Sequence, residues 1–348
     1  TGFRGTYDAP DPGGAPVLAV DIPSGVNGDT GRAAPGAVRA DATVTFAALK
    51  PGLLVGDGPA HAGRVVLADI GLDAKQTRTH LVEEADVRRL VPARSRDSNK
   101  WSAAVFVLAG SPGMYGAATL SARAALRAGA GMVRLGVPGA DPATVAPGEV
   151  VVRATPAVGF GSTVLEDMQW CKALVVGPGL GTDDRKASEI RRIIAEADVP
   201  VVIDADALTM LGPSPDLSAR AAATVLTPHE GEFGRLTGAR PGDDRFGDVR
   251  DLAGKSGTTA LLKGATTIVA DAHGDTLVTN TGGPRLATAG SGDVLSGIIG
   301  AFLALELPSL HAAAFAAFVH GAAAELGPER GLVAGDLLEL IPRWWSRG

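Results

Sequence analysis

The chain has 348 residues, 45% hydrophobic and only 4% aromatic, with a formal net charge of −6. The length suggests two domains. The scarcity of aromatic rings excludes a stacking platform for single-stranded nucleic acid, and the absence of any Lys/Arg block excludes a footprint for nucleic acid or an anionic membrane.

In chain order, Val17–Ile22 (VLAVDI) reads as a buried parallel strand that delivers Asp21 and a polar loop at its carboxyl end. Ala42–Phe46 and Val65–Ile70 read as two more strands. Three strands with almost no helix make a poor complete domain, because parallel strands need crossover elements on both faces. The sequence starts at Thr1 inside a strand–loop region, so the beginning of this domain is expected to be missing. Glu83–Leu90 reads as a short amphipathic helix, and the boundary is placed in the polar stretch around Pro92.

From Ala103 onward strands and helices alternate. Val105–Ala109, Met132–Val137, Ala173–Val176, Val199–Asp204, Thr224–Leu226, Ala260–Lys263 and Thr267–Ala270 read as strands. Gly116–Gly129, Arg185–Ala197, Asp293–Leu305 and His311–Leu326 read as helices. The pattern predicts an α/β fold with a mainly parallel central sheet. No run has membrane-spanning length and no signal peptide is visible. The single cysteine, Cys171, excludes an internal disulfide and fits a reducing compartment, here expected to be the cytoplasm.

Four constellations carry chemistry. In Leu286–Leu295 (LATAGSGDVL) a glycine-rich turn runs into an apolar helix. Its unpaired N–H groups and the helix dipole suit a phosphate or a developing anion, with Asp293 among them. Asp293 also suits a plain helix cap, but a cap does not need glycines on both sides of Ser291. In Leu262–Thr267 a strand end presents Lys263 beside Gly264, Ala265, Thr266 and Thr267, a set that suits nucleotide phosphate or ribose. Taken by itself, the segment reads better as a surface hairpin with an exposed lysine. Leu226–Leu236 (LTPHEGEFGRL) gathers His229, Glu230 and Glu232. They fit a polar substrate or a metal, and equally the first turn of a helix. The remaining histidines lack metal spacing, which excludes zinc. Val175–Gly181 (VVGPGLG) allows close backbone approach or makes a simple turn. Neither a dinucleotide fingerprint nor a Walker loop is present. All four follow strands, and ligands of open α/β sheets bind beyond strand carboxyl ends.

Residues 98–348 resemble the dehydratase domain of the NAD(P)H-hydrate repair enzymes. The resemblance lies in Asn99-Lys100, AGSPGMYGAATLSARAALRAGAGMVRL, VVGPGLG, VVIDADAL, LTPHEGEFGRL, LLKGATTIVAD, TGGPRLATAGSGDVLSGIIGAFLA and GLVAGDLLELIP. Residues 1–80, through TGFRG, VDIPSGVNGDTG, TVTFAALKPGLL and VVLADIGL, resemble the second half of the partner epimerase domain, with 81–97 as linker. The resemblance implies a ribokinase-like three-layer sandwich preceded by an incomplete Rossmann-like α/β domain. It implies repair of hydrated NAD(P)H: ADP or ATP, with Mg2+, phosphorylates the ring hydroxyl, and phosphate elimination restores NAD(P)H.

By the same resemblance Asp293 contacts the substrate hydroxyl as the catalytic base. Gly179 and the stretch His229, Glu230, Glu232, Arg235 contact the hydrated cofactor. Lys263–Thr267 and Gly290, Ser291 and Gly292 hold the nucleotide. Asp21 matches a substrate contact and Ser24 a K+ ligand of an intact epimerase, whose activity is expected to be lost here. Trp101 departs from the glycine that many relatives carry after the lysine matching Lys100. A homo-oligomer is expected, and no nucleic-acid or membrane partner. The alternatives are a ribokinase-like kinase of vitamin metabolism, separated by a stable phosphorylated product, and a non-catalytic nucleotide-binding scaffold.

Overall fold

The computed structural model describes residues 12–74, 76–145 and 148–347. The TGFRG segment therefore lies outside the described residues. The chain divides into two compact units, Thr1–Arg78 with Pro241–Asp248, and Thr79–Arg240 with Val249–Gly348.

The first unit holds β1 (Leu18–Val20), β2 (Ala42–Phe46), the short α1 (Gly58–Ala62) and β3 (Arg64–Ala68). The strands form a parallel sheet in the order β1-β2-β3. The expectation of a buried first strand is corrected here. Ala19 is buried, but Leu18 and Val20 are 62% and 65% exposed, as are Val66 and Leu67 of β3 in large part. An apolar run covers both faces of a strand only when elements pack on both.

The second unit is built on a ten-stranded sheet in the order β4-β13-β12-β11-β10-β9-β8-β5-β6-β7. Its strands are β4 (Thr79–Leu81), β5 (Ala104–Leu108), β6 (Met132–Gly136), β7 (Val151–Arg153), β8 (Ala173–Val176), β9 (Val201–Ile203), β10 (Thr224–Leu226), β11 (Thr259–Leu262), β12 (Thr267–Ala270) and β13 (Thr276–Thr279). Only β12 runs against the others. The carboxyl ends of β5, β8, β9, β10, β11 and β13 therefore share one edge. β4, which straddles the end of the stretch read as the first domain and the start of the linker, joins the sheet, and within the linker α2 (Glu84–Leu90) buries Val87 in the core.

The helices α3 (Tyr115–Arg127), α9 (Ser291–Ala304), α10 (Ser309–Ala324) and α11 (Ala334–Trp345) form one layer. On the other side α4 (Gly161–Asp167), α5 (Asp184–Glu196), α6 (Asp206–Leu211) and α7 (Glu230–Thr237) pack in succession, giving three layers. The remaining helix, α8, spans Arg245–Ser256. Asp183 caps α5, accepting from the N–H groups of Arg185 and Lys186 at 3.1 and 3.0 Å, and the helix buries Ile190, Ile193 and Ile194. Each such burial stabilises by about 1.5–3 kcal/mol. Apolar all round, α10 is buried from Ala312 to Ala324 against β10–β13, α2, α9 and α11. Its own chain thus supplies the packing that an oligomer interface would otherwise provide.

Small residues bring α9 close to its neighbours. A Cβ on Gly297 would meet the Ser121 carbonyl oxygen of α3 at 2.2 Å, and one on Gly300 would meet Val175 of β8 at 2.4 Å. This close approach fixes the start of α9 over the strand ends. The departure at Trp101 lies in the turn that precedes β5. The indole there stacks under the guanidinium of Arg134 at 5.0 Å.

Candidate functional site

The strand ends are tied to one another by backbone bonds. Gly110 N–H donates to the Pro178 carbonyl at 2.7 Å, Asp204 N–H to Val176 at 3.1 Å, and Lys263 N–H to Pro228 at 2.9 Å. Ser111 Oγ donates to the Gly179 carbonyl at 3.0 Å. Gly179 has φ +67°, and a Cβ there would press on Ala117 at 3.0 Å, so the glycine loop is required by the packing itself.

Asp293 sits in the first turn of α9 behind Gly290, which caps the helix at φ +88°. A side chain at position 290 would strike Leu120 at 2.6 Å. Ser291 Oγ donates to the Leu286 carbonyl at 2.8 Å, which fixes the turn. Burial, and then the nearby charge of Asp204, push the Asp293 carboxyl up to about 7, against the pull of Lys263. No side chain caps α9, and a carboxyl poised near 7 suits proton transfer at neutral pH.

Lys263 was expected to face a nucleotide. Its Nζ lies 2.8 Å from Asp204 Oδ1 and 3.6 Å from Glu232 Oε2. Burial would lower the ammonium, but Asp204 and Glu232 outweigh it and hold the group above its ordinary value. The same ammonium would be 3.6 Å from a Cβ at Gly292, so it borders the anion turn as well.

His229 is the cap of α7. Its Nδ1 accepts from the N–H groups of Gly231 and Glu232 at 2.9 and 3.2 Å, while Glu232 Oε2 accepts from His229 N–H at 2.8 Å. Accepting at Nδ1 puts the ring proton on Nε2, 3.5 Å from Glu232 Oε1. Glu232 is buried and belongs to the Lys263 cluster. Glu230 and Arg235 are exposed on α7. The loop Gly264–Thr266 leads from Lys263 into β12, which begins at Thr267.

The sequence reading missed Asp204, Thr227 and Ser296. Asp204 is 1% exposed at the end of β9. Its Oδ1 accepts from Lys263 and from Thr227 Oγ at 2.7 Å, and its Oδ2 from Ser296 Oγ at 2.5 Å. Burial would raise this carboxyl, but Lys263, Ser296 and Thr227 hold it below the usual range. Asp206 was missed too; its Oδ2 accepts from Gly181 N–H at 2.8 Å. The signal was present in VVIDADAL, an acid ending a fully apolar strand.

Asp21 and Ser24 belong to the first unit. Asp21 has φ +68°. The Lys50 ammonium, bonded to Asp21, holds its carboxyl below the ordinary value. Asp21 and Lys50 line an open cavity of about 890 Å³ with Asn27, Thr30 and Arg32, and Ser24 is not part of its lining. Ser24 is exposed, and its carbonyl accepts from Val38 N–H at 2.9 Å.

Comparison with known proteins identifies the family and the fold. Residues 105–343 match the family profile described as NAD(P)H-hydrate dehydratase, and residues 8–52 match that of the YjeF-related protein N-terminus. The bifunctional NAD(P)H-hydrate repair enzyme of Mycobacterium tuberculosis is 48% identical over 302 residues, 86% of this chain and 61% of that protein. Its Escherichia coli counterpart is 36% identical over 345 residues, 94% of this chain and 65% of that protein. The chain thus spans about three fifths to two thirds of these relatives. The ADP/ATP-dependent NAD(P)H-hydrate dehydratase of Bacillus subtilis, crystallised with ATP and Mg2+, shares 30% identity and a TM-score of 0.66, covering 76% of this chain and 97% of that one. A ribokinase-like protein of Enterococcus faecalis shares the fold at 22% identity, with a TM-score of 0.67 over 79% of this chain and 98% of its own. With the profile running from β5 into α11, through the segments that carry Gly179, Glu232, Lys263 and Asp293, the chain belongs to the NAD(P)H-hydrate dehydratase family.

Proposed function

We propose that the second unit dehydrates hydrated NAD(P)H with a nucleoside di- or triphosphate as phosphoryl donor. The single observation that carries this reading is Asp293, a half-buried carboxyl poised near 7 at the glycine turn of α9, inside a family match over residues 105–343.

Asp293 accepts the proton of the ring hydroxyl as its oxygen attacks the terminal phosphorus. The nucleotide leaves shortened by one phosphate, and the hydroxyl becomes a phosphate ester. That ester departs as inorganic phosphate, a neighbouring ring carbon loses a proton, and the ring double bond returns. The N–H groups of the first turn of α9 and the dipole behind them face the transferred group. Lys263 adds a positive charge beside Gly292. The loop Gly264–Thr267 and the turn Gly290–Gly292 hold the nucleotide, and Gly179 with Glu232 and His229 frames the nicotinamide.

Among the described residues no group of three or more His, Cys, Asp or Glu forms a metal cage. A magnesium ion arriving on a nucleotide needs only one or two carboxylates besides phosphate and water. Glu232, beside Lys263, offers that chemistry, whereas Asp204 is committed to three donors and Asp206 to the Gly181 N–H. An ion bound there would neutralise phosphate charge. Among the described residues no helix is long and apolar enough to cross a membrane, and we place the enzyme with its reduced-cofactor substrate in the cytoplasm.

The test is Asp293→Asn. It should still bind ADP or ATP and lose dehydration by a factor on the order of 10² or more. Turnover within a few-fold of the parent would remove Asp293 from the role of base.

A further inference from the structure

We propose that Asp204 is the positioning residue of this site: its buried carboxylate anchors Lys263 against the glycine turn and faces Asp293 with a fixed negative charge, so that Asp293 alone exchanges the proton. The proposal rests on the assignment of Asp293 as base.

Asp204 ties together three separate elements. Lys263 reaches it from the end of β11 at 2.8 Å, Thr227 from the end of β10 at 2.7 Å, and Ser296 from α9 at 2.5 Å. Ser296 lies one turn behind Asp293, and its hydroxyl also lies 3.0 Å from the Gly292 carbonyl. One carboxylate thereby registers the anion turn, the lysine and the strand ends against each other. The backbone around it is over-determined. A Cβ on Gly177 would meet the Asp204 carbonyl oxygen at 1.8 Å, and the next residue, Ala205, is held at φ +50°. Strain of this kind persists where the surroundings enforce one geometry, and it clusters at functional sites. Apolar residues of matching shape would stabilise such an interior as well as a buried ion pair does; the ionic cluster therefore calls for a reason other than stability.

The charges that face Asp293 come from every side. Asp204 and Asp206 approach from the end of β9, Glu232 from α7, and Lys263 from β11. On α10, His320 is buried, and burial pushes it down to about 4, so it stays neutral. On α3 and α11, Leu120 and Ala334 border Gly290 and carry no charge. Asp204 holds the hydroxyl donors and the ammonium, so it ionises before Asp293. That is the order a reversible proton acceptor requires.

The experiment is carboxyl 13C NMR on protein labelled at aspartate Cγ, with Asp293 and Asp204 assigned from Asp293→Asn and Asp204→Asn. In the parent, Asp293 should titrate near pH 7 while Asp204 stays ionised through the whole folded range. In Asp204→Asn the Asp293 signal should titrate lower, by on the order of one unit, and the acid limb of kcat/KM should move with it. The Michaelis constant for the nucleotide should also rise as Lys263 loses its anchor. A purely structural Asp204 would lower activity without moving either titration, and that result overturns the proposal. If Asp204→Asn does not fold, Asp293→Asn decides: an aspartate signal that titrates near 7 in the parent and persists in Asp293→Asn also overturns it. These titrations need no substrate. A parent that titrates as expected yet turns over no hydrate contradicts the proposed function instead.

Discussion

Replacing Asp293 by asparagine should make the protein more stable while it destroys activity. The folded carboxyl lies at about 7 against 3.8 for the unperturbed group, a gap of about 3 units. At about 1.4 kcal/mol per unit, holding Asp293 ionised in the fold costs about 4 kcal/mol, and a neutral amide of the same shape avoids that cost. The sign follows from the direction of the shift. A raised carboxyl favours the folded state fully below its unfolded value and loses that advantage as pH rises through 7. Asp293→Asn should therefore gain about 2 kcal/mol over the parent near pH 5.5 and about 4 kcal/mol near pH 8.5. Urea unfolding at those two pH values, monitored by circular dichroism, reads the difference directly. A variant no more stable than the parent near pH 8.5, or one whose gain is independent of pH, would refute the electrostatic account of this residue.

Other consequences are equally open to measurement. The kcat/KM of the parent should climb through about pH 7 as Asp293 loses its proton; a profile flat from pH 6 to 8 would contradict this. Gly297→Ala should cost about 1–3 kcal/mol of stability, because its Cβ would meet the Ser121 carbonyl oxygen at 2.2 Å; an unchanged denaturation midpoint would show that α9 can move away from α3. Cys171 is buried, and burial pushes its thiol up to about 11, so a small thiol reagent near pH 8 should label it only after unfolding.

Much of this architecture was readable from residue pattern. The alternation of apolar runs with Ala-rich and amphipathic stretches marked most of the sheet, and the glycine loops marked its carboxyl edge. Short elements escaped. β7 and β13 have three and four residues, and β4 lies in a polar stretch at the edge of the segment read as linker. The exposed faces of β1 and β3 were misread because an apolar run is silent about whether anything covers it. Asp204 escaped for a different reason. Its partners lie 23, 59 and 92 residues further along the chain, and no local spacing connects them. His229 taught the reverse lesson: the helix-start reading holds, since it caps α7, and the same residue borders the Lys263 cluster through Glu232.

The measurement closest to the central claim is incubation of the purified chain with NADH hydrate, Mg2+ and either ADP or ATP. We expect the NADH absorbance band to recover, with one inorganic phosphate released for each NADH formed. Accumulation of a stable phosphorylated alcohol without NADH, or nucleotide binding with no change in the hydrate, would contradict it.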